Sequence, residues 1–461
     1  MSDLHRLPVL SRREAFRLGA LSVLGYGLAP LVEPSRVRAD SNVTPRGSAE
    51  SVIFINLRGG PSQMDTFDAK MAKWTPEDFD IRRASNGALW PHGLLPKLAE
   101  RLGDVTLVRS MEAWDSVHSR AQFYLQTGHQ SSPARNDEMP SVGSVIAYEM
   151  RDRGKDSDFL PPFVSMNYDA KTMYGPLQKE GCLTADMAPL TLDLNRKSLP
   201  FLLQEENRST FERRWELLSR LDGPRGRLQA PETQKVYREF ASYAEGVRRM
   251  MLEPRMSEVF EISAEDHKRY GEHPFGDACA LARNMVSADA GARFLMVTHG
   301  DWDHHSNLHA GLRKRCPELD AGLSALLEDL ASIRRPDGST QLSHTLVVAV
   351  GEFGRTPGEL TTLKGREHYE DAMCALFAGA GVLGGQVLGR TDDEAAKVVD
   401  PQWSAGRSIY VEDLCATVYS ALGIDWTKRV TGTPSGRDFV YVDPAAGNGY
   451  YRFQEISELY G

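Results

Sequence analysis

An α/β fold with a mainly parallel central sheet sandwiched by helices is what this sequence predicts, and three observations carry the prediction. First, strand-like runs at 52–57, 105–109, 162–166, 293–298, 345–351 and 374–379 alternate with helical patterns at 93–102, 117–127, 141–153, 275–288, 308–333 and 411–422. Alternation over several hundred residues implies strand–helix–strand crossovers. Second, runs such as Val-Ile-Phe-Ile-Asn-Leu (52–57) and Thr-Leu-Val-Val-Ala-Val (345–350) are almost continuously apolar, as strands buried on both faces must be. In 308–333, Leu308, Leu312, Leu319, Leu323, Leu326, Leu327 and Leu330 recur at three- and four-residue spacing, so one helix face is buried. Third, polar loops follow several of the strands, where open α/β sheets bind ligands.

The 461 residues, 41% hydrophobic and 25% charged, suffice for one large core or two domains. A net charge of −9 argues against a general nucleic-acid binder. Residues 1–39 read as an export signal. Ser11-Arg12-Arg13-Glu14-Ala15-Phe16-Arg17 precedes an apolar, Gly/Ala-rich stretch at 18–32, and Ala39 offers a small residue for cleavage. Paired arginines before a weakly hydrophobic segment resemble a twin-arginine signal, which implies a periplasmic or extracellular protein. An uncleaved anchor is the alternative. The stretch is short for a spanning helix and is broken by Gly19, Gly25, Gly27 and Pro30, and no other segment is apolar enough to span. Residues 40–50 form a polar linker, 51–445 the main domain and 446–461 a tail. The Glu- and Arg-rich stretch 205–272, interrupted by Asp222-Gly-Pro-Arg-Gly226 and Pro254, reads as a helical insertion. Five cysteines (182, 279, 316, 374, 415) without C-x-x-C spacing are expected as buried thiols, with one disulfide left open.

Four loops carry the chemistry. Arg58-Gly-Gly-Pro-Ser-Gln-Met-Asp-Thr-Phe-Asp68 places Asp65 and Asp68 three residues apart, within reach of a cation, although either would also serve as a helix cap. After 105–109, Ser116, His118, Ser119 and Arg120 stand where a helix begins. Free N–H groups and the positive dipole end there favour an anion or an activated hydroxyl, with an ordinary Ser cap as the alternative. After 293–298, His299-Gly-Asp-Trp-Asp-His-His305 packs two carboxylates and three imidazoles into seven residues. Imidazole with carboxylate suits zinc, manganese or iron. Asp303 with His305, or Asp301 with His305, would reach one ion; a hydrogen-bonded histidine cluster or a structural metal is the plainer alternative. After 345–351, Glu352 ends an apolar strand and needs a partner, which Arg355, a metal or a ligand would supply. His368 follows in Gly365-Arg366-Glu367-His368.

In this order Gly59-Gly-Pro-Ser-Gln-Met-Asp-Thr-Phe-Asp68, Leu94-Leu-Pro-Lys-Leu98, Val108-Arg-Ser-Met111, Thr127-Gly-His129, Pro140-Ser-Val-Gly-Ser144, Trp302-Asp-x-His305, Gly351-Glu-Phe-Gly-Arg-Thr-Pro357 and Gly365-Arg-x-His368 resemble a family of exported bacterial proteins, domain of unknown function 1501. That family is similar to the alkaline phosphatase/sulfatase superfamily, and the resemblance runs from about residue 52 to 442. It implies divalent metals at the sheet's carboxyl end and transfer of phosphoryl or sulfuryl groups through a hydroxyl-type nucleophile at a helix start. The metal ligands would fall on Asp65, Asp303, His305, Glu352 and His368. The sequence departs from the family at His304, where Thr is usual, and at Asp301, where Gly is common. Ser116-Val-His-Ser-Arg120 carries His118 where sulfatases place Pro, so Ser116, Ser119 or a metal-activated water remain as nucleophiles.

The expected function is that of an exported metal-dependent hydrolase of phosphate or sulfate esters, with the metal left open among zinc, manganese and calcium. Its substrate would be a small anionic ester or a sulfated or phosphorylated glycan. Arg120 or Arg355 would neutralise the transferred group, and His118 or His368 would protonate the leaving oxygen. A catalytically silent module binding anionic glycans or a partner, and a metal-dependent mutase or isomerase, are the alternatives on the same fold. Oligomeric state is not legible.

Overall fold

The computed structural model describes residues 37–38, 43–170, 172–195, 205–222, 241, 244–443 and 452–461. Apart from Val37 and Arg38, whose backbone pairs with Arg429–Val430, the expected export signal lies outside the described residues. No described helix is long and apolar enough to cross a membrane.

Eight strands make the central sheet: β1 (Ser51–Leu57), β2 (Val105–Met111), β3 (Phe163–Met166), β4 (Leu190–Leu192), β5 (Phe294–His299), β6 (Thr345–Val350), β7 (Met373–Ala378) and β8 (Gln386–Leu388). Their order across the sheet is β8-β2-β7-β6-β1-β5-β3-β4. Every pairing is parallel except the two that β7 makes with β2 and β6. The mainly parallel sheet is the one expected. The reversed direction of β7 and the three-residue edge strands β4 and β8 are additions. At the centre, Leu57 of β1 lies opposite His299 of β5, and Asn56 lies opposite Val350 of β6. The loops leaving β1, β5 and β6 therefore emerge side by side.

Alternation along β1 feeds two cores. Val52 and Phe54 join a cluster packed by α1 (His118–Thr127), α2 (Val142–Met150) and the C-terminal helix Val411–Ala421. Ile53, Ile55 and Leu57 join another, packed by Pro274–Ser287 and Leu308–Ser332. Each buried aliphatic or aromatic side chain contributes about 1.5–3 kcal/mol of transfer free energy, so both faces are strongly specified. In the expected insertion, α3 (Glu205–Asp222) presents the exposed Leu217, Leu218 and Leu221. The helices named above by range continue as α4 (Pro274–Ser287), α5 (Leu308–Ser332) and α6 (Val411–Ala421). The five cysteines are free thiols, four of them buried.

One carboxyl in this core sets a pH dependence. Glu412, in the first turn of α6, is fully buried, accepts hydrogen bonds from Tyr124 of α1 and from Trp114 Nε1 at 3.2 Å, and has no salt-bridge partner among the described residues. Burial pushes its pKa from the ordinary 4.5 up to about 8. The folded state thus holds this proton more tightly than the unfolded chain. Its contribution is fully present below pH 4.5 and is lost as pH rises towards 8, at up to about 1.4 kcal/mol per pH unit. Glu412→Gln is expected to remove that slope, measured as urea midpoints at pH 5 and pH 8. Parallel losses in both proteins would contradict it.

Candidate metal centre

The loop after β5 is shaped by a close approach to the end of β1. Trp302 N donates to Arg58 O at 3.3 Å, and a Cβ on Gly59 (φ +111°) would stand 2.6 Å from Asp303 N. Only glycine fits there. Asp301 takes a left-handed conformation (φ +64°), which explains why glycine suits that position and why a short Asp is tolerated. Gly59 N also donates to both oxygens of Glu352, at 2.9 and 3.0 Å, tying β1 to the loop after β6. His118 opens α1, and His368 lies opposite Arg355 in a two-stranded ribbon after β6.

These elements bring His118, Asp303, His305 and His368 together, with one ligand atom from each lying within 4.8 Å of all the others. Asp303 is the hub. Its Oδ1 lies 2.9 Å from His305 Nε2 and 3.4 Å from His368 Nε2, and its Oδ2 lies 3.2 Å from His118 Nε2. The outer nitrogens decide the tautomers. His368 Nδ1 donates to the Ser116 carbonyl at 2.7 Å, His305 Nδ1 to Glu367 at 2.6 Å and His118 Nδ1 to Glu352 at 2.7 Å. A carbonyl or carboxylate only accepts, so each Nδ1 carries a proton, and each ring in its neutral form turns an Nε2 lone pair inwards. His118 Nε2 is buried without a hydrogen-bond partner, and His305 Nε2 faces His368 Nε2 at 3.0 Å. Three lone pairs and a carboxylate facing one another could hold a cation. A tetrahedral zinc with bonds of about 2.0–2.1 Å spaces its ligands roughly 3.3 Å apart. The donor set fits, and the carboxylates and carbonyl behind the rings are the supports that metal-bound histidines use.

The electrostatics agree. Burial works against ionised Asp303, but His118, His368 and the Arg355 guanidinium override it and hold the carboxyl far below the usual range. Burial also opposes a charged His118, yet the carboxylates of Asp303 and Glu352 prevail and raise its pKa.

The remaining sequence candidates take other places. Asp65, read as a metal ligand, does not join the cluster: it is buried and accepts from Arg366 Nε at 2.8 Å and Ser62 Oγ at 2.6 Å. Glu352 stands behind His118 instead of among the inward-facing donors. Arg355 is held by the Gly59, Gly60 and Arg366 carbonyls and by Asp303 at 2.7 Å, so all its nitrogens are engaged. Arg120 is exposed and paired with Asp115. Ser116 supports His368 through its carbonyl, Ser119 lies against Gly175, and neither hydroxyl bonds a described residue. Gln63, which sequence reasoning passed over, clamps the Arg355 backbone by Oε1 at 2.7 Å and Nε2 at 2.8 Å. The only early signal was its place in the Gly59–Asp68 loop. Also missed was Glu367, which supports His305.

A second group, His273, His299 and Glu318, has a different tautomer logic. His273 Nδ1 accepts from Phe275 N at 3.1 Å, so its Nε2 carries the proton, and Arg315 already donates to Glu318 at 2.7 Å. Hydrogen bonds explain this group without an ion.

The model of a family described as a protein of unknown function (DUF1501) matches residues 49–448. No curated protein matches the chain. A solved protein of the alkaline phosphatase superfamily from Vibrio parahaemolyticus is 11% identical, with 85% of this chain and 70% of that chain covered at a TM-score of 0.39. The PsFucS1 sulfatase from Pseudoalteromonas sp. is 11% identical, with coverages of 91% and 72% and a TM-score of 0.36. The phosphonate monoester hydrolase SpPMH from Silicibacter pomeroyi is 11% identical, with coverages of 84% and 75% and a TM-score of 0.38. Likeness at that level carries no activity or site residue across.

Proposed function

The chain belongs to the DUF1501 family of proteins of unknown function, and from its site we propose that it is an exported, metal-dependent hydrolase of phosphate or sulfate esters. The observation that carries this reading is the convergence of three Nε2 lone pairs on the Asp303 carboxylate. Three nitrogen donors of four favour zinc or manganese over calcium, which prefers an all-oxygen shell. When bound, such a metal supplies Lewis acidity that polarises an ester oxygen and lowers the pKa of an attacking hydroxyl or water.

The chain's own residues do the rest. Glu352 and Glu367 fix the tautomers of His118 and His305, and Arg355 holds the hub carboxylate in place. Ser116 and Ser119 flank His118 in the chain where α1 begins, and a serine nucleophile would come from there. Export rests on Arg12-Arg13 before the apolar stretch 18–32. The substrate class is a small anionic ester or the ester of a sulfated or phosphorylated glycan.

Protein purified without chelator is expected to carry about one zinc or manganese ion per chain. It is expected to cleave an aryl phosphate or aryl sulfate from an ester panel, with activity lost on chelation and restored by the metal. Absence of stoichiometric metal after reloading would refute the site. That neither serine hydroxyl bonds a described residue favours one second reading, a silent anion-binding module, which tight metal binding without cleavage of either ester class would establish instead.

A further inference from the structure

Buried arginines in this molecule have carboxylate partners, with one exception among the described residues. Arg355 pairs with Asp303, Arg366 with Asp65, Arg109 with Asp68 and Arg293 with Asp158. Arg58, 3% exposed at the carboxyl end of β1, has none. Its Nη1 donates to the Asp169 carbonyl, its Nε is enclosed without a hydrogen-bond partner, and its Nη2 makes no hydrogen bond to a described residue. The guanidinium lies instead 4.5 Å from the Tyr174 ring and 5.4 Å from the Tyr168 ring. Cation–π contacts offset only part of what the charge loses on leaving water.

Position gives this charge a use. The Tyr174 ring that Arg58 packs against meets His118 of the metal centre on its own account, with centroids 4.8 Å apart and planes at 66°. Residue 300 is glycine where a Cβ would come within 3.1 Å of Arg58 Nη2, so the loop leading to Asp303 leaves that nitrogen room. Arg355 and Arg120, the cations that sequence reasoning offered for the substrate, are already occupied by Asp303 and Asp115. A guanidinium with a free nitrogen donates a charge-assisted hydrogen bond to an oxygen of a phosphate or sulfate.

We propose that Arg58 is the oxyanion-binding residue of the site, receiving a phosphate or sulfate oxygen of the ligand beside the metal centre. The proposal rests on the hydrolase reading only for what happens to the anion afterwards. The test is titration of inorganic phosphate and of sulfate into zinc-loaded and metal-free protein by calorimetry, for wild type, Arg58→Lys and Arg58→Met. Arg58→Met is expected to bind the preferred anion roughly 10- to 100-fold more weakly, since hydrogen bonds to charged groups have that weight. Arg58→Lys is expected to lie between. The readout that separates binding from scaffolding is thermal unfolding without anion. Arg58→Met should melt at or above the wild-type temperature, because an unpaired buried charge has been removed, and phosphate should raise the melting temperature of wild type alone. Equal anion affinity in wild type and Arg58→Met, or no binding of either anion to wild type in either metal state, overturns the proposal. Arg58-dependent anion binding without ester cleavage would leave it standing while removing the hydrolase reading.

Discussion

Asp303→Asn is expected to strip the protein of its metal and, with it, of any ester-cleaving activity. Asp303 touches all three inward-facing imidazoles and also neutralises Arg355, which is buried to 1% side-chain exposure. Amide for carboxylate removes the only negative ligand and leaves a buried guanidinium uncompensated. Loss of a supporting residue behind a ligand weakens metal binding about 10- to 100-fold, so loss of the hub ligand should exceed about 100-fold. The orphaned Arg355 should lower stability by about 3–5 kcal/mol. Glu352→Gln is the informative contrast, because Glu352 supports His118 from behind and should fall within the 10- to 100-fold range. Metal affinity measured by competition with a chromogenic chelator checks both. If Asp303→Asn keeps its metal while Glu352→Gln loses it, the division between ligand and support is the reverse of the one drawn here.

That division shows what a sequence can and cannot carry. The runs that became β1, β5 and β6 were legible because strands buried on both faces must be apolar throughout, and a polar residue ending such a run is conspicuous. Asp303, His305 and Glu352 were visible for that reason, and His368 through the Gly365-Arg-x-His368 motif of the family it resembles. Periodicity says nothing about strand direction, so the antiparallel β7 was not legible, and β4 and β8 are too short to show any period. Within the site, chain spacing cannot tell a ligand from the carboxylate behind it. Glu352 and His118 lie 2.7 Å apart, and only the direction of the His118 ring separates their places. In the first loop Arg58 carries no signal of its own in the sequence, because the missing carboxylate that makes it unusual is a property of its surroundings.

The first loop holds the sharpest lesson, since its acidic pair drew attention as cation ligands and the structure gives it a mechanical task. Gly59 grips Glu352, Gln63 clamps Arg355, Asp65 holds Arg366, and Asp68 takes Arg109 and Lys70. Arg366 donates to Asp65 at 2.8 Å and to the Thr356 and Gly358 carbonyls at 2.7 Å each, in a site with no exposure. Such a pair fixes the Gly365–His368 stretch, and so His368, without touching a metal. Asp65→Asn should therefore lower stability by about 3–5 kcal/mol, the penalty for leaving one buried charge alone, while the protein that remains folded keeps its metal content. Adding Arg366→Met should return part of the loss, because removing both charges avoids the unpaired one, and the double-mutant cycle should show strong coupling. Urea unfolding of the four proteins, with metal analysis of each folded sample, makes the comparison. If Asp65→Asn is as stable as wild type and comes out metal-free, Asp65 is a ligand as the family resemblance implies, and the cluster around Asp303 is only half of the centre.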